Sequence, residues 1–249
     1  MSLLATPQWR SALLFLGIVL GFVPSPAPVR LRYGLLALGI ALGLSGVWLS
    51  LSDLLSPKST GLPFDRNGAT AHRPLAVLAA EIGVIRGDLW AKAAFTGARF
   101  LWTDRPANLN QSDLNLLARV RSNAETALAL APINGTAWLF LAKLPAISPD
   151  AESRIGTLLE MSYFTAPSAP DLAPWRLQRA AASSALADKD IQAFVKSDLR
   201  EMLNRRPDFQ QAILAAYRTA WPQNQPIFES LVADIDPGLA QLLRSSQTK

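Results

Sequence analysis

The chain has 249 residues, half of them hydrophobic and 17% charged, with a formal net charge of +5 and no cysteine. The missing cysteine excludes disulfides, thiolate metal sites and cysteine nucleophiles. The basic excess is small and scattered, with Arg205-Arg206 as the only adjacent basic pair, so the phosphate-contacting clusters of a nucleic-acid partner are absent.

Residues 1–55 form the first part, and they read as a membrane anchor. Tyr33–Ser52 runs for 20 residues without a charge. At roughly 1.5 Å per residue that length spans the ~30 Å hydrocarbon layer of a bilayer. Arg30 and Arg32 precede it, Asp53 follows it, and Trp48 lies near its far end, where an interfacial aromatic belongs. Gly39 and Gly43 form a small-xxx-small pattern that lets a second helix approach closely, and we assign them to helix packing in the membrane. Ser11–Val23 is a shorter apolar segment, closed by the Pro24-Ser-Pro-Ala-Pro28 stretch. It either crosses and forms a hairpin with Tyr33–Ser52, or it lies shallow or re-entrant. The fold class therefore includes one or two N-terminal transmembrane helices. Arg10 favours an inside start for Ser11–Val23 and Arg30 and Arg32 favour one for Tyr33–Ser52, which a strict hairpin cannot both satisfy; Lys58 and Arg66 pull weakly the other way. The expected orientation follows Tyr33–Ser52 and places the rest of the chain outside, in a bacterial periplasm.

Residues 56–73, with Pro57, Gly61, Pro63 and Gly68, read as a linker. Residues 74–245 are all-α. Apolar residues at three- and four-residue spacing mark a helical stretch over Arg73–Thr103. The next helix, capped by Asn110 or Ser112, runs to about Ala131. Further helices are expected near 135–144, 150–165, 171–187, 189–205, 208–220, 224–233 and 237–245, with prolines at most junctions.

One junction is more specific. Thr126-Ala127-Leu128-Ala129-Leu130-Ala131-Pro132-Ile133-Asn134-Gly135-Thr136-Ala137-Trp138-Leu139-Phe140-Leu141-Ala142 resembles the boundary between two tetratricopeptide repeats. Ala127 and Ala142 permit close helix contact, Pro132 stops one helix, and Trp138 and Leu141 fill the space between paired helices. Met161–Pro167 resembles the same junction more faintly. The resemblance implies a degenerate helix-hairpin domain of the kind that binds peptides and proteins.

The chemistry-bearing residues form no catalytic constellation. The lone His72 lies in the linker, and the pairs Asp150/Glu152, Asp188/Asp190 and Asp234/Asp236 sit at helix ends, where capping accounts for them. Asn134-Gly135-Thr136 matches a glycosylation acceptor, but a turn role already explains it. We expect no catalytic residue, no metal and no cofactor. If the helices stack as repeats, Lys143, Arg176, Arg179 and Arg218 line a partner-binding face. The resulting expectation is a non-catalytic scaffold in a bacterial inner membrane, with a periplasmic domain. Its partner would be a protein of a membrane or envelope complex, such as one handling polysaccharide or export. The alternative is a small integral subunit of a larger membrane transporter or enzyme, packed through its glycine face.

Overall fold

The computed structural model describes residues 29–56, 73–103, 110–145, 149–205 and 209–245. Every regular element among them is helical, and no strand occurs among the described residues. Ser11–Val23, His72 and nearly all of the linker lie outside them.

The chain divides into two compact units, Met1–Trp48 and Leu49–Lys249. The first contains most of α1 (Val29–Leu55). Within α1, Tyr33–Leu55 is long and apolar enough to cross a membrane, and its apolar stretch is not buried against the protein. Leu35, Leu38, Leu42 and Val47 are all more than half exposed. The polar Ser45 turns its hydroxyl back onto the Ala41 carbonyl at 2.8 Å, which removes a free donor from an apolar surface. The glycine face is equally open: a Cβ added at Gly39 or Gly43 would meet nothing within 4 Å.

The second unit is built from α2 (Arg73–Ile82), α3 (Gly87–Thr103), α4 (Gln111–Leu130), α5 (Gly135–Lys143), the single turn α6 (Pro149–Ser153), α7 (Ile155–Thr165), α8 (Ala173–Ala181), α9 (Lys189–Arg205), α10 (Phe209–Arg218), α11 (Gln225–Ala233) and α12 (Pro237–Ser245). Two short 3₁₀ turns, Ser184–Ala187 and Pro222–Asn224, lie before α9 and α11. The most extensive helix pairings are α3 with α4 and α5 with α7, followed by α2 with α3, α8 with α10 and α11 with α12. One continuous core runs from Ala94 to Leu243, and a smaller alanine-rich cluster lies between α2 and α3.

Small residues set the spacing. A Cβ at Gly87 would lie 2.8 Å from the Ala127 carbonyl oxygen and from Ala131 Cβ, so α3 begins in close contact with the end of α4. A Cβ at Gly97 would lie 2.7 Å from Val120 Cγ2 further along the same pair. At the α4–α5 junction, Ala127 and Ala142 are buried, Leu141 is buried, Trp138 is half-buried and Pro132 is exposed. Trp138 Nε1 donates to the Pro132 carbonyl at 2.8 Å and fixes the turn. Asn134 caps α5 by accepting from the Ala137 N–H at 3.0 Å, which is the turn role expected of it.

Three helical stretches are shorter than their patterning suggests. Arg73–Thr103 is two helices, parted at Gly83–Arg86 where Trp90 Nε1 donates to the Val84 carbonyl. The 150–165 stretch changes helix at Arg154, beside a Ser153 hydroxyl bonded to the Asp150 carbonyl. The 171–187 stretch stops at Ala181, because its last carbonyls are taken by groups distant in sequence. Trp221 N and Asn224 Nδ2 both donate to Ala181 O, and Asn224 Nδ2 also donates to Ser183 O.

Candidate functional site

The basic residues expected on a binding face divide sharply. Lys143, in the last turn of α5, places its ammonium 4.7 Å from the Trp175 ring and donates to Gln178 Oε1 at 2.9 Å. Arg179, one turn along α8 from Trp175, donates through Nε to the Ala142 carbonyl and pairs with Glu152 of α6 at 3.4 Å. Both cations are half-buried. Burial, assisted by the charge of Arg179, lowers the Lys143 ammonium to about 8. Burial also lowers Arg179, against the pull of Glu152. The result is a cationic patch with an aromatic floor at the α5–α6–α8 junction. Arg218 ends α10 on an exposed position.

Arg176 must be removed from the binding set, because it is completely buried. Its position on α8 points it at the C-terminus of α7 rather than at solvent. Its Nη2 donates to the carbonyls of Ser162 at 2.6 Å and Ala166 at 2.8 Å, and its Nε to Ser162 Oγ at 3.0 Å. These carbonyls close a helix, where intrahelical donors run out and the dipole is negative, so a cation there is favourable. The guanidinium also stacks over Tyr163 at 4.5 Å. Tyr163 stacks on Phe194 and donates its hydroxyl to Asp198 Oδ2 at 2.9 Å.

Asp198 is the residue that sequence patterning passed over. It sits inside a charged run, Lys196-Ser-Asp198-Leu-Arg200-Glu201, and only helical spacing reveals it. Ile191, Val195, Asp198 and Met202 fall on one stripe of α9, and all four are buried. Burial raises the Asp198 carboxyl to about 6, opposed by Arg176 and by the Tyr163 hydroxyl. Arg176, Tyr163 and Asp198 thus form a buried polar core joining α7, α8 and α9. No opening reaches the carboxyl: Tyr163 and Asp198 are each 4% exposed and Arg176 0%. This places them in structure rather than in acid–base chemistry, which needs contact with a substrate proton.

Depressions among the described residues of the second unit include these two. One, of about 10 Å³ beside Arg121, Glu125 and Arg154, has room for no more than a single water. The other is a groove of about 280 Å³ between α2, α3 and α4, lined by Val77, Glu81, Trp90, Leu116, Arg119 and Asn123. No group of three His, Asp or Glu residues positioned to hold a metal occurs among the described residues. Three of the remaining carboxylates serve helix ends: Asp113 completes a capping box with Asn110, Asp188 accepts from the Asp190 and Ile191 N–H groups, and Asp236 accepts from Leu239 N. Glu152 and Asp234, expected as caps, instead pair with Arg179 and Lys196, as Glu229 does with Arg244.

No protein-family model, no curated protein and no solved structure matches this chain.

Proposed function

We propose that this protein is a non-catalytic, membrane-anchored scaffold whose helical unit binds a protein partner in a bacterial cell-envelope complex. One observation carries the reading: α1 leaves its apolar side chains uncovered over a length sufficient to span a bilayer. Exposed to water, such a surface is unfavourable by roughly 25 cal/mol per Å². Lipid or a partner helix must therefore cover it. The helical unit behind it offers a groove and a cationic patch rather than a cleft with convergent acid, base or nucleophile.

The scaffold reading also draws on helix spacing. Gly135, Ala173 and Phe209, which open α5, α8 and α10, are 38 and 36 residues apart; Ile155, Lys189 and Gln225, which open α7, α9 and α11, are 34 and 36 apart. A near-constant two-helix period is compatible with degenerate tetratricopeptide-like stacking. Lys143, Arg179 and Arg218 remain the residues proposed to meet the partner. The absence of cysteine makes the decisive experiment clean. A single cysteine at Ser246 is treated in intact cells with a membrane-impermeant maleimide. Labelling without lysis is the result expected of a periplasmic helical unit. Labelling only after lysis puts that unit in the cytoplasm and ends the periplasmic part of the reading.

A second reading is favoured by the open glycine face. A methyl group at Gly39 or Gly43 would have no neighbour within 4 Å, so a flat strip of helix is free for a partner helix. In that case the protein is an integral small subunit, and Gly39→Leu with Gly43→Leu releases it from its complex. Retention of the complex by the double variant would exclude this second reading.

A further inference from the structure

Part of α2 runs against the usual amphipathic pattern. Its buried face consists of Ala76, Ala79 and Ala80, each 1% exposed or less. Two of its large side chains face outward, Leu75 40% and Leu78 43% exposed, while Val77 and Ile82 are half-buried and Val77 packs on the alanine cluster. Exposed apolar surface resumes in the Gly83–Arg86 turn, where Val84 and Ile85 are 56% and 71% exposed. Large apolar residues normally face the core and small ones are tolerated outside. This helix buries alanines and leaves two leucines outside.

The turn is held, not loose. Gly83 N donates to Ala79 O at 2.9 Å, Arg86 N donates to Gly83 O at 2.6 Å, and Trp90 Nε1 closes onto Val84 O at 3.2 Å. Leu89 packs so tightly against Gly83 that a Cβ there would lie 2.4 Å from Leu89 Cδ1. The backbone is thus fixed in a form that presents two β-branched side chains outward.

The turn is also tied to the end of α1. Arg86 Nη1 pairs with Asp53 Oδ1 at 2.7 Å, while its Nη2 pairs with Asp88 at 2.8 Å. Lys92 Nζ donates to Ser56 Oγ at 3.1 Å. All of these residues belong to the second unit. Asp53 and Ser56 lie where the apolar run stops, and Leu54 between them is 83% exposed. That is the depth at which a membrane helix leaves the hydrocarbon and enters the headgroup layer.

We propose that Val84, Ile85 and the Leu75–Leu78 face of α2 form a second membrane contact, resting in the headgroup layer beside the exit of α1. The occupant of this face is the lipid surface itself. Short apolar elements of this kind sit about 5–10 Å into the boundary between headgroups and acyl chains. The inference rests on α1 being a membrane span.

The test uses the full chain in phosphatidylcholine vesicles, with one cysteine carrying a nitrobenzoxadiazole fluorophore. The sites are Ile85→Cys, Ser45→Cys in α1 and Ser230→Cys on the exposed side of α11. Lipids spin-labelled either high or low on the acyl chain act as quenchers. We expect the probe at 85 to lose emission mainly to the shallow label, the probe at 45 mainly to the deep label, and the probe at 230 to neither. Quenching at 45 but water-like emission at 85 overturns the second contact and leaves the span intact. A blue-shifted probe at 85 that no lipid label quenches overturns it as well, because a second copy of the chain then covers the face. No quenching at 45 removes the span and the proposal together.

Discussion

Asp198 illustrates how one residue can shape the response of the whole unit to pH. Its carboxyl titrates near 6 in the folded chain, against 3.8 ordinarily, with burial as the main cause. The folded state therefore holds the proton more tightly than the unfolded chain does. Stability contributed by this group rises as pH falls from above 6 towards 4, and it is lost as pH rises through 6. Two pH units correspond to at most about 3 kcal/mol, a net figure that already contains the opposing pull of Arg176. Asp198→Asn keeps an acceptor for Tyr163 and removes the charge. Urea midpoints of wild type and variant should lie closer together at pH 5 than at pH 7.5, where the variant is the more stable. Parallel pH dependences would show that the carboxyl is more hydrated than its burial implies. Arg176→Met takes the guanidinium away from the Ala166 carbonyl and the Ser162 hydroxyl, leaving the Ser162 carbonyl only its bond from the Ala166 N–H, and should destabilise by about 3 kcal/mol, the cost of breaking a buried polar network.

Among the helices, close packing makes two glycines differ in opposite directions. A Cβ at Gly135 would lie 2.5 Å from Ala166 Cβ and 3.1 Å from the Ser162 carbonyl oxygen, so Gly135→Ala should push α5 away from the end of α7 and cost about 1–3 kcal/mol. A Cβ at Gly156, inside α7, meets only Ala185 Cβ at 3.9 Å. Gly156→Ala should therefore stabilise by about 0.5–1 kcal/mol through helix propensity alone. Thermal unfolding of the two variants separates packing from propensity, and equal shifts would contradict the packing account. Removing the cap in Asn110→Ala should cost about 1 kcal/mol and fray the start of α4, visible as faster amide exchange at Leu114 to Leu117.

For the whole molecule, the open glycine strip and the two-unit division make a clear prediction. Gly39→Leu with Gly43→Leu should leave the unfolding temperature of the helical unit unchanged, since a Cβ at either position meets no described neighbour. Any effect should appear only in association within the bilayer, measured by energy transfer between labelled chains or by loss of a co-purifying partner. A drop in the stability of the helical unit would mean that its core depends on α1.

Local sequence was enough for the helical class, the apolar segment in α1 and most helix starts. Each is a short-range property: hydropathy over one span, three- and four-residue spacing, and caps such as Asn110 and Asn134 that bond within their own first turn. The placement of the charges came from packing instead. Arg176 and Arg179 sit three residues apart in one helix and read alike, yet the first is sealed beneath α7 and the second reaches Glu152 at the edge. The end of α8 likewise depends on Asn224, whose partners are 41 and 43 residues away and leave no local trace. Arg176, Asp198 and Asn224 take their hydrogen bonds from groups on other elements, and that pairing is fixed by how helices pack rather than by the residues on either side.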